Sequence, residues 1–310
     1  MARPERAGDD LVSATQQRRD RIRTPRPGRH RGPEGSGTFD SGFAALGQLA
    51  YAGARVSASV TDLQSGDALV EIDERVVLPT ASVGKILLLI EVSARMTAKD
   101  GSGFGILDKT PGDSVADSGL WQHLQAPALP VTDIAALVGA LSDNLATNVL
   151  VRHVGLDSVR ARAESIGLSR TALLDIVRDE RGPDDAPQLS VGSAAELAWL
   201  ITALSRGQIV DRVTSDRVIG WLSSNADLSL VASGFGLDPL AHRSSDHGLS
   251  LINKTGTDVG VRSEVGLLNG PRAGVAYALT IQFTDTSLAT RLTVHDAMRV
   301  FGLDLLEYVC

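Results

Sequence analysis

From Phe39 onward the apolar residues fall into periodic blocks, and the blocks predict elements in a definite order. Phe39 to Ala50 repeats at helical spacing. Ala54 to Thr61 alternates at period two, Ser65-Gly66-Asp67 is a turn signal, and Ala68 to Ile72 completes a hairpin. Ser82 to Met96 is apolar almost all round, with Ile86, Leu87, Leu88, Leu89, Ile90 and Val92 in one stretch. A helix of that kind belongs in the centre of a domain. Five further helices are predicted, over Val131 to Leu141, Leu145 to Val154, Ser158 to Ile166, Ser193 to Ser205 and Val213 to Leu222. Arg178 to Pro187 interrupts them with prolines, a glycine and several acidic residues, a long polar loop of the kind that carries function. Three strands follow, over Ser250 to Thr255, Val261 to Leu268 and Val275 to Phe283, and then a final amphipathic helix from Leu288 to Tyr308.

The order is helix, two strands, a helical middle, three strands, helix, with no internal repeat. The simplest assembly is an α/β plus α fold. Both strand groups join one antiparallel sheet flanked by the terminal helices, and the middle forms an inserted all-helical second lobe. A binding site is expected in the cleft between the two lobes. Residues 1–38 differ in kind. They hold nine arginines against five acidic residues among many prolines and glycines, and read as a disordered tail ahead of a domain spanning 39–310.

Composition and charge narrow the classes. The chain of 310 residues is 43% hydrophobic and 22% charged, which is ordinary for a globular protein. The net charge is −7 and the tail carries +4, so the remainder is −11. An acidic body argues against nucleic acid as a partner. The single cysteine, Cys310, excludes an intrachain disulfide. The six histidines make no H-x-H or H-E-x-x-H pattern, which argues against a zinc hydrolase, and no cofactor or metal is expected. No apolar run reaches about 18 residues, so no membrane span is expected. Arg18-Arg19 is followed by Asp20, Arg21 and Arg23 where a signal peptide would be apolar. The expectation is a cytoplasmic monomer, or a secreted one if the true start differs.

Lysine usage points to chemistry. Of 30 basic residues only four are lysine, and two of those sit in short polar motifs: Ser82-Val83-Gly84-Lys85 and Lys254-Thr255-Gly256-Thr257. Arginine is effectively always charged, whereas a buried lysine can lose its proton and act as a base. With a helix starting near Ser82, Lys85 shares its face three residues on. The arrangement makes Ser82 a candidate nucleophile and Lys85 its base, against an N-cap serine and a surface lysine. Ser142-Asp143-Asn144 is either a simple helix cap or a site where Ser142 relays a proton and Asn144 binds a substrate amide. In the third motif Lys254 supplies charge, the hydroxyls of Thr255 and Thr257 meet a carboxylate, and Gly256 lets a substrate strand approach. The backbone N–H groups of Ser82 and Thr257 would form an oxyanion hole. Arg262 is either a further carboxylate ligand or a surface arginine, and Trp121 either lines the cleft mouth or belongs to the core.

S-x-x-K, S-D-N and K-T-G in this order are the signature of class A β-lactamases and penicillin-binding proteins. The chain resembles that serine hydrolase superfamily over about residues 39–310, and the run Ser142-Asp143-Asn144-Leu145-Ala146-Thr147-Asn148 extends the likeness. The resemblance implies the two-lobed fold, an acyl-enzyme at Ser82 and a small-molecule β-lactam or related acyl substrate. It also implies a water-activating glutamate in an R-x-E-x-x-L-N pattern. Arg178 and Glu180 match the first part, while Pro183-Asp184 replaces Leu-Asn. Glu180 is thus the candidate deacylating base. A sensor that traps the acyl group, or a cytosolic esterase or peptidase on the same scaffold, are the alternatives.

Overall fold

The computed structural model describes residues 38–98, 103–115, 118–242 and 247–310, so the expected basic tail lies outside the described residues except for Thr38. The chain opens with α1 (Asp40–Tyr51), then β1 (Arg55–Asp62) and β2 (Ala68–Ile72). After a short β3 (Leu78–Pro79) comes a 3-10 turn over Ala81–Gly84 that runs into α2 (Lys85–Thr97). The second lobe contains β4 (Ile106–Asp108), β5 (Ala128–Pro130), α3 (Val131–Leu141), α4 (Asn144–Val154) and α5 (Leu156–Ser165). It continues with β6 (Ala172–Leu173), β7 (Ser190–Gly192), α6 (Ala194–Ser205) and α7 (Arg212–Leu222). The chain ends with β8 (Ser250–Asp258), β9 (Val261–Asn269), β10 (Gly274–Gln282) and α8 (Leu288–Val309).

The hairpin and the last three strands form one antiparallel sheet in the order β2-β1-β10-β9-β8. The amino-terminal hairpin therefore joins the carboxy-terminal meander through the β1–β10 pair, Arg55 opposite Gln282 to Asp62 opposite Val275. β8 is left at an edge, and its free side faces the cleft. The middle lobe is not purely helical, because β3, β6 and β7 make a small three-stranded sheet and β4 pairs with β5. These strands are two or three residues long, too short for a period-two pattern to register in the sequence.

Two apolar cores share the sheet. One lies between its outer face and the terminal helices, built on Leu46, Leu279, Met298 and Phe301. The other gathers the inner face, α2 and the second lobe around Leu88, Ile134, Val149 and Leu204. α2 is wrapped on nearly every side, as its all-apolar sequence requires: Lys85 through Ala94 are all buried. Trp121 is core, fully buried with its indole N–H donated to Ala126 O at 3.0 Å, and does not line the cleft mouth. Its bulk fills the lobe beneath α4, the environment a large aromatic favours.

α8 packs closely on the 3-10 turn Val231–Gly234 through Gly302, where an added Cβ would stand 2.1 Å from Val231 O. Gly302→Ala is expected to lower stability by about 1–3 kcal/mol through overpacking. The urea midpoint reads this directly, and an unchanged midpoint would show that α8 can slide away at no cost.

Candidate active site

From Thr80 to Ala94 Ser82 is the one residue that is not buried. The backbone reason lies beside it. Ala81 has φ +48°, a left-handed conformation that alanine rarely adopts, and the 3-10 turn begins there. This bend lifts Ser82 out of a buried run before α2 carries the chain back into the core. Ser82 is thus in a 3-10 turn rather than in the α-helix that the sequence pattern predicts from this residue. Its N–H belongs to the first turn, where helices have no internal acceptor.

Lys85 is fully buried at the start of α2. Its Nζ donates to Ser142 O at 2.6 Å and to Asn144 Oδ1 at 2.7 Å, and lies 3.2 Å from Ser142 Oγ. The first two acceptors are carbonyl oxygens, which need one ammonium or amine hydrogen each. A neutral amine keeps both bonds and still has a lone pair to take a proton. Ser142-Asp143-Asn144 does not simply open a helix. Ser142 ends α3 with φ +54°, and Asp143 caps α4 through Ala146 N at 2.9 Å. The same carboxylate accepts from Leu120 N and Trp121 N at 2.7 and 2.8 Å, so Asp143 clamps the neighbouring loop to the site. Gly119 is required there, since a Cβ would lie 2.6 Å from the Asp143 carboxyl carbon.

The third motif lies on the edge strand β8. A Cβ at Gly256 would stand 2.2 Å from Thr80 O and 3.0 Å from Ser82 N. Gly256 is therefore needed for the strand to lie against the turn that carries Ser82, whatever substrate does. Lys254 is fully buried and donates to Thr255 O at 2.7 Å. Burial lowers its pKa to about 8, although Asp227 and Glu264 pull the other way. Thr255 Oγ1 donates to Asp227 Oδ2 at 2.6 Å, so its hydroxyl hydrogen is already engaged within the protein. Burial works to raise the Asp227 carboxyl, but hydrogen bonds from Ser229 and Thr255 and the charge of Lys254 hold it below its ordinary value. Thr257 lines the cleft, and its cross-strand partner is Arg262. Opposed residues of an antiparallel pair share a face. Arg262 is buried, not a surface arginine.

Ser82, Asn144, Asp179 and Thr257 border one cleft of about 520 Å3 between the lobes. Its far wall is the loop after β6. Asn148, at the end of the second motif, holds the loop's base: its amide donates to Val177 O at 2.9 Å and accepts from Val177 N at 2.8 Å. Asp175 then takes hydrogen bonds from Arg178 and Arg181, at 2.9 and 2.7 Å, and Arg178 also meets Asp185 at 3.0 Å. Arg178 thus braces the loop. Asp179 and Glu180 are both exposed, and of the two Asp179 borders the cleft.

Behind Lys254 lies a buried polar network that the motifs do not announce. Glu264 Oε1 accepts from Tyr277 at 2.7 Å and Asn253 at 2.9 Å, and Asn253 Oδ1 accepts from Asn225 at 2.8 Å. Burial pushes the Glu264 carboxyl up to about 7, against the pull of the Asn253, Tyr277 and Ala232 hydrogen bonds, and the nearby Asp227 adds to the rise. Among the described residues no group of His, Cys, Asp and Glu could hold a metal ion, and no helix is long and apolar enough to cross a membrane.

The shift at Glu264 has a sign. A carboxyl easier to ionise unfolded than folded lets stability fall as pH rises from about 4.5 to about 7. The loss is about 3 kcal/mol at most, by the usual conversion of pKa difference to free energy. Glu264→Gln should flatten that slope in urea melts taken at pH 5 and 8. Equal slopes for both proteins would mean that Glu264 ionises as freely folded as unfolded.

Comparison with known proteins agrees with this geometry. Residues 40–309 match the family described as the β-lactamase enzyme family. No curated protein sequence matches. Among solved structures, a β-lactamase from Sphaerobacter thermophilus superposes with TM-score 0.72 at 22% identity, covering 84% of this chain and 95% of that one. The class A β-lactamase from Mycobacterium abscessus gives 0.68 at 17%, covering 84% and 97%. The penicillin-binding protein PBP-A gives 0.69 at 17%, covering 87% and 95%. At such identities these likenesses show a common fold. The family match spans nearly all of the described domain, and with it the chain belongs to the β-lactamase enzyme family, as a serine β-lactamase-like hydrolase acting on cyclic amides.

Proposed function

We propose that the protein opens β-lactams through an acyl-enzyme at Ser82, in the manner of class A enzymes. The observation that carries this reading is the convergence on one accessible serine: Lys85 bound to Ser142 and Asn144, and β8 laid against the Ser82 turn. Neutral Lys85 takes the Ser82 hydroxyl proton as Oγ attacks the lactam carbonyl carbon. The negative oxygen is held by the N–H groups of Ser82 and Thr257. The C–N bond then breaks, and Ser142 protonates the leaving nitrogen, replenished from Lys85 across the 3.2 Å contact. Lys254, Thr257 and Arg262 receive the substrate carboxylate, with Thr255 and Gly256 shaping the strand and Asn144 meeting the substrate amide. Water, deprotonated by a carboxylate of the loop, releases the acyl group.

Family resemblance gives that last role to Glu180, while the position of Asp179 on the cleft favours Asp179. The exposed placement of Glu180 also favours a second reading, in which the acyl-enzyme persists and the protein acts as a trap or sensor.

Intact mass recorded seconds and one hour after addition of benzylpenicillin tests these readings. A Ser82-dependent adduct that clears as drug disappears is the expected result, with Ser82→Ala giving none. Asp179→Asn should accumulate the adduct and Glu180→Gln should not; the reverse pair of outcomes returns the role to Glu180. A wild-type adduct that never clears supports the trap, and the absence of any adduct removes β-lactams as substrates.

Charge on Lys254 adds a basic limb. Acylation by a carboxylate-bearing β-lactam should weaken as pH rises through about 8, where Lys254 loses its proton. Lys254→Arg stays charged, so its profile should lack that limb even if its rate is lower. A limb left in place would assign it to another group.

A further inference from the structure

Arg262 is held by more than its own strand. Its Nη1 donates to Asp258 O at 2.9 Å and Val261 O at 2.7 Å, and the guanidinium lies 5.9 Å from the centroid of the Phe283 ring. Its Nε meets His295 Nε2 at 3.1 Å, reaching across to α8. Arginine has donors only. In this contact Nε2 must therefore be the acceptor, and the imidazole must be neutral with its hydrogen on Nδ1. The Arg262 contact alone therefore selects the tautomer.

We infer that His295 is a positioning residue, which when neutral holds Arg262 in the orientation that meets a substrate carboxylate and when protonated releases it. The inference rests on the reading of Arg262 given above. An imidazolium has no lone pair for Arg262 Nε and brings a second cation against it. The charged surroundings come from three elements. Arg262 on β9 and Arg291 on α8 disfavour the imidazolium, while Asp227 and Ser229, in the segment between α7 and β8, favour it. Burial and the two arginines prevail, and the ring's pKa lies below its ordinary value. At neutral pH the bond is made, and acid breaks it. Simple electrostatics would have the opposite sign, since an added positive charge near the cleft should draw an anionic substrate in.

The test has two parts. Two-dimensional imidazole 15N spectra of the full chain, titrated from pH 8 to 5, should show His295 as the Nδ1–H tautomer, protonating below 6.5. Its titration should move upward in Arg262→Gln, where the neighbouring cation is gone. In parallel, the half-saturating benzylpenicillin concentration for acylation is measured at pH 7.5 and 5.5. In the wild type it should rise about three- to tenfold in acid, the scale of one hydrogen bond to a charged group. His295→Gln keeps a neutral acceptor and should remain low at both pH values, and His295→Ala should be high at both. An Nε2–H tautomer, a titration indifferent to Arg262→Gln, or tighter binding in acid would overturn the inference. Should Arg262→Gln fail to melt cooperatively, the wild-type tautomer decides alone. If the wild type takes up no penicillin, the functional reading fails, and the spectra still decide the link between His295 and Arg262.

Discussion

A lysine side chain with no exposed surface holds the site together. Lys85 reaches from the central helix to the α3–α4 junction and binds Ser142 O and Asn144 Oδ1. A buried amine without such partners would be strongly destabilising. Satisfying it fixes the second lobe against the first and leaves the Ser142 hydroxyl beside the nitrogen. The same contacts that stabilise the lysine therefore set its place beside Ser142. Left-handed backbone at Ala81 and Ser142 brackets this arrangement, the kind of local strain that surrounding structure must hold in place.

The second constraint is a close approach of backbones. β8 is the sheet edge, and Gly256 lets it run against Thr80 and Ser82 with no side chain between. An edge strand has unpaired N–H and C=O groups on its free side. Here that side faces the cleft, where such groups can serve a substrate. Lys254 is buried at the root of this strand with the buried carboxyl of Glu264 behind it and half-buried Asp227 beside it, so the field there is set largely by groups shielded from water. Burial is why the Lys254 ammonium is held at about 8, below its ordinary value.

The opposite wall is built by a different economy. Asn148, Asp175, Arg178 and Arg181 hold the loop with hydrogen bonds and ion pairs in place of an apolar core. The loop is pinned at its base and at Asp185, and Asp179 borders the cleft while Glu180 does not.

The sequence by itself determined the order of the principal helices and strands, because burial imposes periods of 3.6 and 2 that long segments cannot hide. It also determined the three motifs that meet at the cleft, since their spacing and polar character are local. What it left open depends on contacts between distant residues. Ser142 ends one helix while Asp143 starts the next, a junction that sequence alone reads as a single cap. Trp121 became core, and Arg262 became buried, because of what packs over them. Asp227, Glu264 and His295 belong to no motif, and reach the site from a loop, a strand and the last helix only after the β1–β10 pair closes the sheet. The course of the Arg178 loop is set by ion pairs and not by hydrophobic period, so it is not legible in the sequence.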